Sequence, residues 1–243
     1  MFRLLGLGAV LAWAAMESLF TLERDRAGWL HRTCRRALRV LGVRVTTTGR
    51  APRGAVIAAN HLGYLDILVL AAQAPCVFVA KREVRGWPVF GWFARRSSTR
   101  FIDREKRADV ARVAEDFAPV LAAGANLVLF LEGTSTDGRA VLPFRSSLLE
   151  PVARGGWPAV PVAIAYAVPP PHSAEREVCW WGDMTLAPHL FGLAGLPCVG
   201  AAVRWGEPVT ATSDRKVLAA ELHRAVRDLR GEAPAGTLAA VEA

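Results

Sequence analysis

The feature of this sequence that most restricts its fold is the alternation of short apolar runs with longer amphipathic segments. Six runs bounded by Gly, Pro or charged residues indicate buried strands, over residues 55–59, 76–80, 126–131, 159–166, 178–181 and 199–205. Between them, helical spacing of apolar residues predicts helices over 67–73, 106–123 and 217–229, the middle one kinked or shortened at Pro119. Strands that alternate with helices predict an α/β fold with a sheet at its core.

Charge and apolar content together restrict the class of partner. The chain has 243 residues, is 52% hydrophobic and carries a formal net charge of +8. The excess lies in two segments, residues 24–53 at +8 and residues 81–112 at +6. The first is interleaved with Trp29, Leu30, Leu38 and Val40, and the second with Trp and Phe. This mixture suits an anionic membrane surface, although a solvated basic face has the same composition. The sequence contains no nucleic-acid-binding motif, so we do not expect a nucleic-acid partner.

The four cysteines are scattered at Cys34, Cys76, Cys179 and Cys198, without a Cys-x-x-Cys motif or a Cys/His cluster. This spacing predicts neither a disulfide framework nor a metal site. A reducing, cytosolic environment is favoured.

The amino-terminal apolar segment is open to three interpretations. Residues 4–22 contain one charged side chain, Glu17, and are just long enough to cross a hydrocarbon core as a helix. The Arg-rich stretch that follows favours a retained anchor, spanning or partly inserted, with that stretch on the cytoplasmic side. Ala12-Trp13-Ala14 resembles a signal-peptide cleavage site, and a buried helix of a soluble protein is the third interpretation.

The best candidate for a catalytic group is His61, directly after the first predicted strand. Asp66 follows five residues later, and a carboxylate that holds the ring of a histidine makes it a competent general base. The two side chains would not share a face of a regular helix, so they can meet only if Gly63 allows a turn. His223 and Asp228 have the same spacing within an Arg-rich helical segment, and we expect that pair to be solvated surface.

A second group of polar residues, Glu132, Gly133 and Thr134, follows another predicted strand. Backbone N–H groups near Gly133 could approach an anion, provided that Glu132 is engaged in a hydrogen bond or with a basic side chain. A structural turn with a capping Thr is the alternative. The neighbouring Ser135 does not fit the Gly-x-Ser-x-Gly pattern, which disfavours a serine hydrolase.

Four blocks in one order along residues 55–165 carry a family resemblance. They are Asn60-His61-x4-Asp66; Lys81 through Gly86 with Pro88, Gly91 and Phe101-Ile102-Asp103-Arg104; Phe130-x-Glu132-Gly133-Thr134; and Val160-Pro161-Val162. The chain resembles the glycerolipid acyltransferase family, the lysophospholipid acyltransferases that include 1-acylglycerol-3-phosphate acyltransferase. The resemblance implies an α/β fold with a mixed sheet flanked by helices, of the glycerol-3-phosphate acyltransferase type, with an amino-terminal apolar membrane-associating helix. Its expected regions are 1–50, a membrane anchor and basic juxtamembrane helix; 51–231, the acyltransferase domain; and 232–243, a flexible tail.

The resemblance also implies acyl transfer without a covalent enzyme intermediate. His61 would take the proton of a lysolipid hydroxyl as that oxygen attacks a thioester carbonyl, while Asp66 orients the ring. The implied substrate-binding residues are Lys81, Arg104, Glu132, Gly133 and Thr134, with Pro161 in a block tied to acyl-chain or donor placement. The co-substrate would be acyl-CoA or acyl carrier protein, with no cofactor and no metal, at the cytoplasmic face of the inner membrane.

The identity of the acceptor is open between two lysolipids. The expected reaction converts 1-acyl-sn-glycerol-3-phosphate to phosphatidic acid. However, Leu131, Ser98 and Ser135 stand where the family often has Pro, Gly and Arg, and the missing Arg weakens the case for lysophosphatidate. The runs 132–138, 142–145 and 182–185 look more like lyso-ornithine lipid acyltransferases. A non-catalytic protein that binds anionic membranes and a hydrolase that uses His61 with water are the alternatives outside acyl transfer.

Overall fold

The computed structural model describes residues 2–103, 107–210 and 214–231, and for 107–110 it describes the backbone alone. Seven strands form one sheet: β1 (Val43–Thr48), β2 (Val56–Ala59), β3 (Cys76–Lys81), β4 (Arg100–Ile102), β5 (Asn126–Phe130), β6 (Ala159–Ala167) and β7 (Val199–Trp205). The helices are α1 (Phe2–Phe20), α2 (Arg26–Leu41), α3 (Leu65–Gln73), α4 (Phe90–Arg96), α5 (Arg107–Glu115), α6 (Phe117–Ala122), α7 (Glu150–Gly155), α8 (Ala174–Glu177), α9 (Leu186–Gly195) and α10 (Arg215–Gly231).

The sheet is mixed, with strand order β1-β7-β6-β2-β5-β3-β4. Every neighbouring pair is parallel except β6 and β7, so β1 and β7 run against the other five strands. The carboxyl ends of β6, β2, β5 and β3 therefore meet at one edge, the edge at which open α/β sheets place their functional groups.

Both faces of the sheet are covered, because alternate residues of the central strands point to opposite sides. Ile57 of β2 packs in a cluster with side chains of α1, α2, α3 and α9. Its neighbours Val56 and Ala58 pack in a second cluster with α6, α7 and α10. The result is a mixed sheet flanked by helices, which is the α/β fold that the family resemblance implies.

Five of the six predicted strands are confirmed, and the prediction of a strand over residues 178–181 is wrong. Residues 178–181 form no strand, because Val178 and Cys179 are buried as a loop that packs on the segment after β2. Strands β1 and β4 were not predicted, since β1 is a largely exposed, Thr-rich edge strand and β4 has three residues. The predicted helix 106–123 is two helices, with Pro119 in the first turn of α6.

Helix α1 packs along α2 over its length. Glu17 forms ion pairs with Arg32 and Arg36 at 2.7 and 2.9 Å, and the Trp29 indole donates a hydrogen bond to the Ala14 carbonyl. In the described part of the chain, α1 is the one helix long and apolar enough to cross a membrane, and only 17% of its apolar window is buried. The division at residue 50 stays a prediction, although β1 lies before it and joins the main sheet.

Candidate active site

His61 and Asp66 meet through a tight turn between β2 and α3. His61 follows the carboxyl end of β2, Asp66 lies in the first turn of α3, and His61 Nδ1 lies 2.8 Å from Asp66 Oδ2. Gly63 adopts φ +152° between them, and a Cβ there would lie 2.9 Å from the backbone nitrogen of Trp180. Because real Cβ contacts are almost never that short, the turn requires a glycine.

Asp66 is held as a buried acceptor of four hydrogen bonds. Its carboxylate is fully buried, and Oδ2 also accepts the N–H groups of Leu62 and Gly63 at 2.6 and 3.0 Å. Oδ1 accepts the Tyr166 hydroxyl at 2.7 Å. Burial raises the pKa of Tyr166 well above its usual value, and the negative charge of Asp66 adds to the rise, so Tyr166 remains a neutral donor.

This arrangement determines the tautomer of His61. Both Asp66 oxygens accept hydrogen bonds, so the proton between Asp66 and His61 belongs to Nδ1 of the ring. The other ring nitrogen, Nε2, is then free to accept a proton. The ring stacks on Phe130 at 4.0 Å between centroids, and 21% of the His61 side chain remains exposed. A neutral imidazole with a free, accessible Nε2 can act as a general base.

Glu132, next to the neighbouring strand β5, holds the His61 loop by hydrogen bonds to the backbone. It follows β5, is 3% exposed, and accepts the N–H of His61 through Oε1 and the N–H of Leu142 through Oε2, both at 2.7 Å. Burial raises the pKa of Glu132, and the two N–H donors oppose that rise. Because each oxygen accepts a backbone N–H, the contacts fit a Glu132 carboxylate that is engaged with the backbone.

The residues beside Glu132 have more ordinary surroundings. Gly133 adopts φ +83°, and its N–H donates to the Phe130 carbonyl at 3.3 Å, as in a turn. Thr134 is exposed, and its hydroxyl contacts the carbonyl of Ser135 at 3.5 Å. Both positions therefore fit the structural-turn interpretation as well as a binding loop.

The remaining predicted residues lie at different distances from this site. Lys81 is exposed at the carboxyl end of β3 and so lies on the same sheet edge as His61. Pro161 is buried inside β6, where it pairs with Ala58 and its carbonyl accepts the N–H of Gly206, so the structure does not bring it to His61. Arg104 lies outside the described residues. The structure thus brings together His61, Asp66 and Glu132.

Sequence analysis assigned no role to three residues that hold the site, although Asn60 stands in the first family block. Asn60 exchanges two hydrogen bonds with the backbone of Ile164 at 2.7 and 3.0 Å, which ties the end of β2 to β6. Tyr166 lies in a predicted apolar strand, and its polar tip was the available signal. Arg230 of α10 donates to the carbonyl of Gly138, in the loop that follows Glu132. No local motif marks Arg230.

His223, expected to be solvated, instead contacts this same loop. Its Nε2 lies 3.1 Å from the Val141 carbonyl and its ring packs on Phe144, whereas Asp228 is exposed. The expectation is therefore wrong for His223, because α10 covers the loop. His223 and Arg230 together attach α10 to the loop that carries the Leu142 donor of Glu132.

An apolar cavity of 170 Å³ lies behind the site. Its wall includes Tyr64, from the turn between His61 and Asp66, and Phe78, whose ring packs at 6.3 Å from that of Phe130. Side chains of α1, α2, α3, α4 and α9 and of the segment between β3 and β4 contribute the rest of the lining. The rings of Phe78, Phe130 and His61 are thus stacked in this order from the cavity wall to the site. Among the described residues, no group of three or more His, Cys, Asp or Glu side chains is arranged to hold a metal ion.

The fold and the His61–Asp66 pair suit an enzyme that activates a hydroxyl group by general base catalysis, and the comparisons with known proteins make the class definite. A family model described as Acyltransferase matches residues 42–165. A lyso-ornithine lipid O-acyltransferase of Brucella abortus is 39% identical over 206 residues, which cover 79% of this chain and 77% of that protein. The chain belongs to the acyltransferase family, and it is an acyltransferase.

Further relatives bear two functional names. A lyso-ornithine lipid O-acyltransferase of Pseudomonas aeruginosa is 33% identical over 241 residues, 93% of this chain and 90% of that protein. A 1-acyl-sn-glycerol-3-phosphate acyltransferase of Neisseria gonorrhoeae is 34% identical over 115 residues, 47% of this chain and 45% of that protein. The crystal structure of the 1-acyl-sn-glycerophosphate (LPA) acyltransferase from Thermotoga maritima has a TM-score of 0.66 at 21% identity and covers 90% of this chain and 87% of that one. This structural likeness confirms the predicted fold.

Proposed function

We propose that this acyltransferase moves a fatty acyl group from a thioester to the free hydroxyl of a lysolipid, and that the lysolipid is a lyso-ornithine lipid. The observation that carries the reaction type is the buried Asp66 with its four donors, which leaves Nε2 of His61 free to accept a proton.

The proposed reaction passes through one addition and one elimination. The acceptor hydroxyl gives its proton to His61 Nε2 as its oxygen forms a bond to the thioester carbonyl carbon. The resulting imidazolium is stabilised by Asp66, 2.8 Å from Nδ1. When the tetrahedral intermediate collapses, the carbon–sulfur bond breaks, and the thiolate leaves and takes up the proton from His61. The products are an ester and a free thiol, and no cofactor or metal takes part.

Two observations favour lyso-ornithine lipid over lysophosphatidate. The relatives with that name cover between 74% and 93% of this chain, against 47% for the Neisseria relatives. In addition, Ser135 replaces the Arg that often follows Glu-Gly-Thr in the family, so one phosphate-binding cation is absent from this loop. An ornithine head group carries a carboxylate and an ammonium but no phosphate. It therefore has less need of that Arg.

Lysophosphatidate is the second candidate. Lys81 is exposed at the same edge of the sheet as His61, and a phosphate monoester would be a suitable partner for its ammonium group. For either acceptor, we propose that the apolar cavity beside Tyr64 receives part of an acyl chain, since its lining is almost entirely hydrocarbon.

We propose that α1 lies along the cytoplasmic surface of the inner membrane instead of crossing it. Its buried face packs on α2, and Glu17 pairs with Arg32 and Arg36. A transbilayer α1 would carry these arginines into hydrocarbon, which costs several kcal/mol for each charge (~3 at the centre of a spanning helix). A reporter fused to the amino terminus should accordingly remain in the cytoplasm. A periplasmic reporter would contradict this orientation.

The activity is tested with purified protein, labelled acyl-CoA or acyl carrier protein thioester, and either lyso-ornithine lipid or lysophosphatidate. We expect acylated ornithine lipid as the main product and a loss of at least about a thousandfold in His61→Ala, the scale of a missing catalytic base. His172 offers a matched control, because its Nδ1 lies 3.0 Å from Glu177 at the same five-residue spacing but on the surface. His172→Ala should keep full activity.

The outcomes separate the alternatives. Preference for lysophosphatidate would overturn the acceptor but not the reaction type. Release of free fatty acid in the absence of acceptor would indicate a hydrolase. Activity of His61→Ala equal to that of the parent would overturn the mechanism, and vesicle binding without any acylation would favour a non-catalytic membrane protein.

A further inference from the structure

Helix α9 presents an apolar face that none of the described residues covers. The segment Leu186–Gly195 contains no acidic or basic side chain except His189. Leu193 and Ala194 face the protein and are buried. The opposite face consists of exposed apolar or small residues: Ala187, Pro188, Phe191, Gly192 and Gly195. Phe191 is 68% exposed, an unusual position for a large aromatic side chain in contact with water alone.

This face continues the apolar outer face of α1. The Arg3 side chain of α1 donates hydrogen bonds to the carbonyls of Leu196 and Pro197, directly after α9. Next to Arg3 on α1, Phe2 and Leu5 are 88% and 67% exposed. The exposed residues along the rest of α1 are also apolar: Gly8, Ala9, Ala12, Trp13, Met16, Leu19 and Phe20. The two helices therefore form neighbouring apolar parts of one surface, joined at the Arg3 side chain.

Helix α9 is also attached to the candidate active site. Tyr64, in the turn between His61 and Asp66, has its hydroxyl 3.0 Å from Nδ1 of His189. The other ring nitrogen of His189 lies 3.1 Å from the Cys179 carbonyl, so both ring nitrogens are engaged. Leu190, the residue before Phe191, lines the apolar cavity behind the site. One side of α9 thus faces the site while the other is open.

We propose that α9 is a second membrane-contacting helix, which inserts its Phe191 face into the headgroup and acyl boundary beside α1. The proposal rests on the proposed function, because an enzyme whose acceptor is a lysolipid must meet that substrate in a bilayer. The bilayer is the occupant that fits, since the face carries no charge or hydrogen-bonding side chain to recognise a protein partner and continues the α1 face. An aromatic side chain beside Pro and Gly on an apolar helix suits the interfacial region.

Membrane contact is tested at position 191 with an environment-sensitive fluorophore. Phe191→Cys is labelled with bimane in a Cys198→Ser background, because Cys34, Cys76 and Cys179 are buried and unreactive. Val217→Cys is the matched control, since Val217 is an exposed apolar residue on α10, 44% exposed. With vesicles of phosphatidylethanolamine and phosphatidylglycerol, we expect a blue shift of the emission at position 191 and none at position 217.

The strength of vesicle binding supplies a second test, with a substitution that leaves the net charge unchanged. Phe191→Ser should weaken partition into the same vesicles by about tenfold, since full burial of a Phe side chain contributes roughly one to two factors of ten in the binding constant. Val217→Ser should leave the partition unchanged. The difference should persist at high salt, which screens the Arg-rich segments but not apolar insertion.

The result that overturns the proposal is an unshifted emission at position 191 on vesicles that do bind the protein, or equal partition of the two serine variants. Failure of the proposed function is distinguishable, because the acylation assay with lysolipid in detergent micelles needs no bilayer. Phe191→Ser should retain its activity there, and a parent protein inactive in micelles and vesicles alike would refute the function while leaving the fluorescence result intact.

Discussion

The hydrogen bond from Tyr166 to Asp66 can be removed with little change of side-chain shape by Tyr166→Phe. The Asp66 carboxylate is fully buried, and the 2.7 Å bond from Tyr166 is the one donor that Oδ1 has among the described contacts. Hydrogen bonds to charged groups contribute about 1.5–3 kcal/mol, and a buried acceptor left without a donor loses that contribution in full. We therefore expect Tyr166→Phe to lower the free energy of unfolding by about 2 kcal/mol.

The same change should slow acyl transfer. The orientation of the His61 ring depends on Asp66, which retains the N–H donors of Leu62 and Gly63 on its other oxygen. Without the Tyr166 donor the Asp66 carboxylate can rotate and hold the His61 ring less firmly. Part of the lost hydrogen-bond energy is then lost from stabilisation of the transition state. A loss of about 1.4 kcal/mol corresponds to a tenfold lower kcat. KM should be nearly unchanged, because the Tyr166 hydroxyl bonds the Asp66 oxygen that does not contact His61.

Tyr64→Phe is the matched control for stability. The Tyr64 hydroxyl contacts a neutral partner, Nδ1 of His189 at 3.0 Å, so its loss should cost only about 0.5–1.5 kcal/mol. Burial lowers the pKa of His189, which keeps that ring neutral near pH 7. Urea unfolding followed by Trp fluorescence measures both variants. Equal shifts of the two midpoints at equal m-values, together with an unchanged kcat in Tyr166→Phe, would refute the account of Asp66 as a carboxylate held by Tyr166.

Three further predictions follow from backbone geometry and burial. Gly63→Ala should lower the free energy of unfolding by about 1–3 kcal/mol and reduce acyl transfer, because its Cβ would lie 2.9 Å from the Trp180 nitrogen. In the same urea titration Gly192→Ala, inside α9 with open space around it, should not lower the free energy of unfolding and should raise it by up to about 1 kcal/mol. Ser98 has φ +61°, and its buried hydroxyl has no hydrogen-bond partner among the described residues, so Ser98→Gly should raise the free energy of unfolding by up to about 1 kcal/mol. Ser97→Gly, which removes a hydroxyl bonded at 3.0 Å, should lower it. Iodoacetamide at pH 8 should modify Cys198 first, as identified by peptide mass spectrometry, because burial raises the pKa of Cys34 and of Cys179 to about 12 and raises that of Cys76 further. Alkylation of Cys34 in the folded protein would contradict the buried position of that thiol.

The parts of the fold that sequence predicts best are those whose signals are local. The central strands are continuous apolar runs because both faces of the sheet are covered, and the pattern is visible without knowledge of the partners. The run 178–181 has the same composition but its backbone instead contacts the His61 loop, through the Trp180 N–H and the Leu62 carbonyl at 2.7 Å. The apolar composition of residues 178–181 indicates burial, but it does not distinguish a strand from a packed loop.

Ser98, one of the positions that departs from the family pattern, has a backbone conformation that explains the family's preference for another residue. The family often has Gly at this position, and the structure shows a left-handed φ of +61° there. Glycine adopts this conformation without strain, so the family preference has a physical cause that a single sequence does not reveal.

The candidate site is assembled by strand order, which single-sequence patterns do not report. Ala59 of β2 is paired with Phe130 of β5 on one side and Val162 of β6 on the other. Residues just beyond these pairs therefore converge: His61 after β2, Glu132 after β5 and Tyr166 near the end of β6. Two of them were recognisable because they follow strand ends in polar motifs. Tyr166 supports Asp66 from a strand that lies 100 residues further along the chain, next to β2 only because β6 is inserted between β2 and β7. A change that shifted the register of β6 by two residues would accordingly leave every motif intact and still remove the fourth donor of Asp66.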